Sequence, residues 1–335
     1  MMLASLAVLT LAGGAVAANG ASGTSFKIVK RIPGPDGFWD YASFDPVHRR
    51  LFVAHGDSIM TIDVDTGKVN PHFAEASRSH AVLPLDGGRK LLTTNSGDQT
   101  ARIFDTATGA LKAKIPTAMD PDAAIYDPAT RHAMVIDGDA GKVTVIDPVA
   151  GKAVGEITVG GGLEFPAVDG RGRLYLNVED KSEIAVVDTR AGKVVGHYPL
   201  PGCQRPTGLA LTTQGLLISA CANGVAPVLS AATGKLVASI KIGPRPDAVI
   251  YDRDRGLAYI PSGGDGTLSV LSVRSPASVQ LVAQVPTQAG ARTGALDPKT
   301  QHIFLPTAKF TPPPAPGQRP GFVPGSFEVL ELGPG

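Results

Sequence analysis

Asp63-Val64-Asp65-Thr66-Gly67-Lys68, Asp105-Thr106-Ala107-Thr108-Gly109, Asp147-Pro148-Val149-Ala150-Gly151-Lys152, Asp188-Thr189-Arg190-Ala191-Gly192-Lys193 and Ser230-Ala231-Ala232-Thr233-Gly234-Lys235 are five versions of one turn. Their glycines fall 42, 42, 41 and 42 residues apart. A fixed period of that length marks a supersecondary unit repeated along the chain. A second marker, an Asp closing a short apolar run, recurs at Asp45, Asp86, Asp127, Asp169, Asp252 and Asp297, with Thr212 or Thr213 in its place in the fifth repeat. Seven repeats result.

The third repeat illustrates the unit. Ala123–Tyr126 reads as a first strand, Asp127–Arg131 as a turn and His132–Ile136 as a second strand. A loop at Asp137–Gly141 leads to Val143–Ile146, and the Asp147–Gly151 turn to a fourth strand, Ala153–Val159. Asp, Pro and Gly at the turns supply a preset φ, side-chain caps and tolerance of left-handed backbone. The runs between them are rich in Val, Ile and Ala, which suits strands buried on both faces. One such sheet cannot cover both its faces, whereas a ring of them can. The sequence therefore predicts an all-β, seven-bladed β-propeller with four-stranded blades. Phe327–Leu332 reads as a third strand with no fourth behind it, and Lys27–Asp36 matches the fourth strand and exit of the fifth repeat, Ser239–Asp247. The N-terminal strand is thus expected to complete the last blade and close the ring, giving one domain over residues 26–335.

Composition agrees with this reading. Hydrophobic residues make up 43% of the chain, enough for a core, and 40 Gly with 28 Pro fit frequent turns rather than helices. With 31 basic and 30 acidic residues the net charge is +1, so no nucleic-acid partner is expected. The apolar run from Leu3 to Leu11 and the small residues ending in Ala15-Val16-Ala17 read as a cleaved signal peptide over 1–17, too short for a membrane anchor. No transmembrane anchor is expected, and the protein is expected to be periplasmic or secreted and monomeric. The two cysteines, Cys203 and Cys221, fall on one face of the fifth repeat and are expected to form a disulfide. No Cys-x-x-Cys-His motif occurs, which excludes covalently attached c-type haem.

The stretch Leu92-Thr-Thr-Asn-Ser-Gly-Asp-Gln-Thr-Ala-Arg-Ile-Phe-Asp-Thr-Ala-Thr-Gly109 resembles the repeat of the YVTN (YncE-like) β-propeller family. The resemblance extends over all the repeats, from about residue 26 to residue 332, and departs from the tetrapeptide in several, as at Tyr259-Ile260-Pro261-Ser262. It implies a propeller fold. Related propellers serve as binding modules, scaffolds and enzymes.

Two faces follow from the repeat. One carries the Asp-x-x-x-Gly turns, here called the turn face. The other, the mouth face, carries the loops between blades and between second and third strands. Aligned on the turn Asp, the residues entering the seven inner strands are Asp40, His80, Asp122, Glu164, Thr207, Asp247 and Arg292, with a one-residue insertion needed at His80. Equivalent positions in a ring point to one axis, so these residues should converge at the channel mouth as candidate ligand-binding residues. Trp39 and Arg205 adjoin them and join the candidate set, and Asn223 flanks Cys221 with Arg205.

Oxygen-rich convergence suits Ca²⁺ or Mg²⁺, and addition of an imidazole suits Zn²⁺. The candidate metal ligands are His55, His80, Asp122 and Glu164. The loop Phe310–Gly325 carries six prolines and should rise stiffly from the same face. Three functions are consistent with these features. The chain is expected to be a binding or scaffold protein for a small ligand or a periplasmic protein partner. It could instead be a divalent-metal-dependent, lactonase- or lyase-like enzyme at the channel mouth, with Glu164 or Asp122 as ligand or base and His80 as general acid or base. Thirdly, it could be an accessory protein of a periplasmic dehydrogenase system. The catalytic residues are not fixed by the sequence.

Overall fold

The computed structural model describes residues 25–315 and 320–335; the expected leader at 1–17 lies outside them. The protein is a β-propeller. Four-stranded antiparallel sheets are formed by Pro121–Asp127, His132–Asp137, Lys142–Asp147 and Lys152–Thr158, then by Leu163–Val168, Arg173–Val178, Glu183–Asp188 and Lys193–Pro199. The next is Pro206–Leu211, Leu216–Cys221, Val225–Ser230 and Leu236–Lys241, followed by Ile250–Asp252, Leu257–Ser262, Thr267–Ser272 and Gln280–Pro286. Ala295–Leu296, Ile303–Thr307 and Glu328–Pro334 form the last sheet, completed by the N-terminal strand Phe26–Pro33. That strand runs antiparallel to Glu328–Pro334 from Phe26↔Pro334 to Pro33↔Glu328, which closes the ring.

The pairing corrects the expected blade count. Six hydrogen-bonded sheets are present among the described residues rather than seven, five of four strands and one of six. The wide sheet holds the first and second repeats. Its strands are Ala42–Asp45, Arg50–Asp63, Val69–Leu85, Lys90–Asn95, Thr100–Asp105 and Leu111–Pro116. Arg50–Asp63 and Val69–Leu85 run unbroken where the repeat pattern places a loop and a blade-to-blade connection. The join lies at Ser79, which pairs with Gly56 on one side and Asn95 on the other. The Ser79 hydroxyl also donates to the Gly56 carbonyl at 3.1 Å. Gly56 has φ of 61°, a left-handed conformation that glycine adopts without strain, at the register shift between Gly56 and Ser58.

Burial grades outward from the axis. Second strands such as Leu216–Cys221 and Leu257–Ser262 are buried at every residue. Fourth strands are largely exposed: in Lys152–Thr158 only Ile157 is buried. The blades pack through these second and third strands. One cluster joins Ala210, Ile218 and Val228 to Ala258, Ile260 and Leu271 of the next blade. The recurring Asp residues hold their own turns. Asp105, Asp147 and Asp188 each accept backbone amides two and three residues on, at 2.8–3.1 Å.

Asp137 is different. It is wholly buried, takes a 2.7 Å bond from the Thr144 hydroxyl on Oδ2, and has no partner for Oδ1. Burial pushes its pKa up to about 7, against the pull of bonds from Thr144 and the Ala118 amide. A carboxyl whose folded pKa is raised holds its proton longer in the native state. Stability from this residue is therefore lost as pH rises from its ordinary value near 3.8 through about 7. The substitution Asp137→Asn should remove that loss, stabilising the protein at pH 8 relative to pH 5 by roughly 2–4 kcal/mol compared with wild type. Urea midpoints at the two pH values test this; equal pH dependence in the two proteins would refute it.

Candidate functional site at the channel mouth

The inner strands break their ladders where they enter the channel. Register shifts fall between Ser79 and Val82, Pro121 and Ala123, Leu163 and Pro166, and Pro206 and Leu209. These are bulges, which release residues from the strict alternation of a strand and re-aim their side chains. The residues they release include His80, Asp122, Glu164 and Thr207. In the sixth repeat an isolated pair, Pro246↔Ser262, precedes the resumption of pairing at Ile250↔Tyr259, and Asp247 sits in the gap.

The bulged backbone is held across neighbouring repeats. The Tyr41 amide donates to the His80 carbonyl at 3.0 Å, and the Asp247 amide to the Arg292 carbonyl at 3.2 Å. Hydroxyls of Thr94 and Thr293 donate to the carbonyls of Asp122 and Asp40 at 3.2 and 2.8 Å. Asn177 Nδ2 donates to the Thr207 carbonyl at 2.8 Å, and the Thr207 hydroxyl to the Pro246 carbonyl at 2.9 Å. Thr94, Asn177 and Thr293 are buried polar residues whose part sequence reasoning missed. Asn177 alone carried a signal, as a polar residue in the otherwise apolar core of Arg173–Val178.

Six of the seven aligned positions bear ionisable groups. His80 Nδ1 lies 2.7 Å from Asp40 Oδ2 and 3.1 Å from Asp122 Oδ1, and its Nε2 lies 2.9 Å from Ser96 Oγ. Arg292 Nε donates to Asp247 Oδ2 at 2.7 Å, and a second guanidinium nitrogen lies 3.6 Å from Asp40 Oδ1. Glu164 has no ion-pair partner among the described residues. Thr207 contributes a hydroxyl engaged with backbone.

Four carboxylates therefore face two cations, and the titration of the group reflects it. Burial would lower the His80 pKa, but its bonds to Asp122 and Asp40 outweigh that and push it up to about 10. The imidazole is charged at neutral pH. Burial raises Asp122, with the His80 bond pulling back, and pushes Asp247 up to about 7 against Arg292. Glu164 is held well above its ordinary value by burial, then by the charges of Asp122 and Asp247. The Tyr41 phenol is likewise raised, by burial and the same carboxylates.

Tyr41 and Phe165, each one residue beyond a ring position, meet below the ring with centroids 4.9 Å apart. Both also line a cavity of about 960 Å³ with Leu83, Tyr126, Ile250 and Leu296, and Asp45 and Asp86 mark its opening on the turn face. A further cavity of about 1250 Å³, lined by Tyr126, Tyr175, Tyr198 and Tyr251, opens on that side too. The roomier spaces thus lie on the face whose turns look repetitive in sequence, and the charged ring is compact.

Trp39 is buried to 3% exposure rather than displayed at the mouth. Phe322, Phe327 and Phe310 pack on it with centroids at 5.1, 5.4 and 6.1 Å. Phe310 and Phe322, near the two ends of the proline-rich segment, therefore fold down onto Trp39. The base of the segment is a hairpin, with the Thr311 amide bonded to the Gly321 carbonyl and the Val323 amide to the Lys309 carbonyl, both at 2.9 Å. Phe310, Phe322 and Phe38 remain 36–41% exposed, and Phe38 stands edge-on to His80 at 5.6 Å.

His55 is not brought to the ring. It packs edge-on against Phe327 at 4.7 Å beneath Gly37, and burial lowers its pKa. Arg205 is exposed and bonded to Glu179 at 2.7 Å. Cys203 and Cys221 form a disulfide, with Cα atoms 5.5 Å apart. Asn223 braces the loop they close, accepting from the Gln204 amide at 3.1 Å and donating to the Gly202 carbonyl at 2.9 Å. No helix among the described residues is long and apolar enough to cross a membrane.

No protein-family model matches the chain, and no curated protein matches it. Solved structures do. A chain of a mitotic checkpoint complex superposes with a TM-score of 0.75 at 13% identity, covering 99% of this chain and 98% of that one. A chain of Kuenenia stuttgartiensis hydrazine synthase gives a TM-score of 0.70 at 18% identity, over 82% of this chain and 92% of that one. The WD40 repeats of RRP9 give 0.75 at 12% identity, over 91% and 97%. At these identities the likeness is one of fold.

Proposed function

We propose that the chain is an exported, YVTN-like binding protein that takes a small ligand at the channel mouth. The observation that carries this reading is the charge of the ring. Asp40, Asp122, Glu164 and Asp247 outnumber His80 and Arg292, and converge from separate repeats in a desolvated setting. Buried like charges raise one another's pKa, and a bound cationic group relieves them. The ring is therefore matched to a ligand bearing positive charge, with Phe38, partly exposed beside His80, available to its apolar part.

A second reading, a protein partner docking on the rim, is favoured by the exposed Phe38, Phe310 and Phe322. One of the similar folds is part of a mitotic checkpoint complex, which supports it in general terms.

A thermal-shift series with divalent metal ions and with small diamines such as putrescine tests the first reading. At least one cation should raise the melting temperature of wild type, and the Asp122→Asn/Glu164→Gln protein should not respond. Equal shifts in both proteins, or none with any cation, would send attention to the rim.

A further inference from the structure

The ring carries more than a general preference for positive charge. Asp40, His80 and Asp122 each offer a ligand atom, and these atoms all lie within 4.8 Å of one another. They come from three successive repeats and are fixed by different bulged or stitched segments, so the cluster is built by the tertiary fold rather than by a local helix or loop. Asp40 is 5% exposed, and its Oδ1 is buried without a hydrogen-bond partner, the nearest cation being the Arg292 guanidinium at 3.6 Å. A buried carboxylate oxygen without a hydrogen bond is costly, and that long ion pair leaves room for a closer ligand.

We infer that Asp40, His80 and Asp122 form a binding site for a divalent transition metal ion of the zinc type. The inference rests on the reading of the ring as a ligand site and names its ligand.

Donor chemistry selects the ion. Ca²⁺ and Mg²⁺ prefer oxygen-only shells, whereas one imidazole nitrogen with two carboxylates is a zinc-type set. Spacing agrees. Zinc bonds of about 2.0–2.1 Å at tetrahedral angles place two donors roughly 3.3 Å apart. The His80 Nδ1 to carboxylate distances are 2.7 and 3.1 Å, so these two separations need open by only a few tenths of an ångström.

The outer contacts fit as well. His80 Nε2 lies 2.9 Å from the Ser96 hydroxyl, which itself bonds the Arg78 carbonyl at 3.3 Å. An imidazole that ligates through Nδ1 keeps its proton on Nε2, and a fixed partner there sets both tautomer and ring orientation. The metal would take the place of the Nδ1 proton that His80 now shares between Asp40 and Asp122.

Calorimetry with Zn²⁺ on the full, chelator-stripped protein, paired with visible spectroscopy of bound Co²⁺, tests the assignment. One equivalent of Zn²⁺ should bind, and Co²⁺ should show the d–d bands of a low-coordinate nitrogen–oxygen site. Asp122→Asn preserves shape and should fold; it should weaken Zn²⁺ binding by about 100-fold or more, since even outer-shell changes cost 10–100-fold. The surface change His197→Gln should leave binding intact. Zn²⁺ binding that survives Asp122→Asn, or is lost in His197→Gln, overturns the site. Putrescine binding without Zn²⁺ binding overturns the metal while leaving the cationic reading of the ring in place; failure of both removes the two together.

Discussion

Replacing His80 by alanine is expected to destabilise the protein by about 3–5 kcal/mol at pH 7, the usual cost of removing one partner from a buried ion pair. The side chains concerned are only 8% (His80), 7% (Asp40) and 19% (Asp122) exposed. Without the imidazolium, Asp40 and Asp122 face each other with nothing between them, and Arg292 reaches Asp40 only at 3.6 Å. The effect should depend on pH in a defined sense. The folded pKa of His80 is raised from 6.5 to about 10, so its contribution is complete below 6.5 and disappears as pH rises through about 10. The gap between wild type and His80→Ala should therefore close above that pH. It should also narrow at acid pH, as the Asp122 carboxyl, whose pKa burial raises, accepts a proton. Urea unfolding in the presence of a chelator, across that range, measures both limbs. The double variant His80→Ala/Asp122→Asn should recover part of the loss. A cost below about 1 kcal/mol at pH 7 would mean that His80 does not hold the carboxylates.

The second large effect concerns the disulfide. Cys203 and Cys221 are separated by 18 residues and are both buried. Their link constrains the unfolded chain, and a loop of this length is worth about 3 kcal/mol on the chain-entropy account. The Cys203→Ala/Cys221→Ala protein should be less stable by that amount. A reductant should lower the wild-type urea midpoint comparably and leave the variant unmoved. The hairpin within the loop, from Pro206↔Cys221 to Leu211↔Leu217, should still form in the variant, so the near-ultraviolet spectrum should change little. Identical midpoints for wild type, variant and reduced wild type would show that the bridge contributes nothing to stability.

The sequence spoke clearly where a physical requirement recurs at a fixed interval. The turn Asp and Gly residues repeat because each blade needs the same caps, and they located the strands and the ring positions together. The contacts among Asp40, His80, Asp122, Asp247 and Arg292 follow from that alignment. So does the pairing of Phe26–Pro33 with Glu328–Pro334.

What was not legible depends on departures from the repeat. The pairing of Arg50–Asp63 with Val69–Leu85 extends past the expected hairpin to Gly56 and Ser79, a contact that no periodicity encodes. It reduced seven expected sheets to six. Trp39 read as a rim residue because only its neighbour in sequence was known; its cover, Phe310 and Phe322, lies about 270 residues further along the chain. Phe165 was hidden because alternation would turn it away from the axis, and the bulge between Leu163 and Pro166 lets it share the axis with Glu164.

The bulges have a consequence of their own. A residue inside a ladder is constrained by its partner opposite, so changing it disturbs the sheet. One released by a bulge carries no such obligation. If the repeats arose by duplication of an ancestral unit, each copy would have kept its pairing while the residues released by its bulge were free to diverge. His80, Asp122, Glu164 and Thr207 at the bulged places are the outcome such a history would leave. The scaffold separates what must be inherited unchanged from what selection can rewrite, copy by copy.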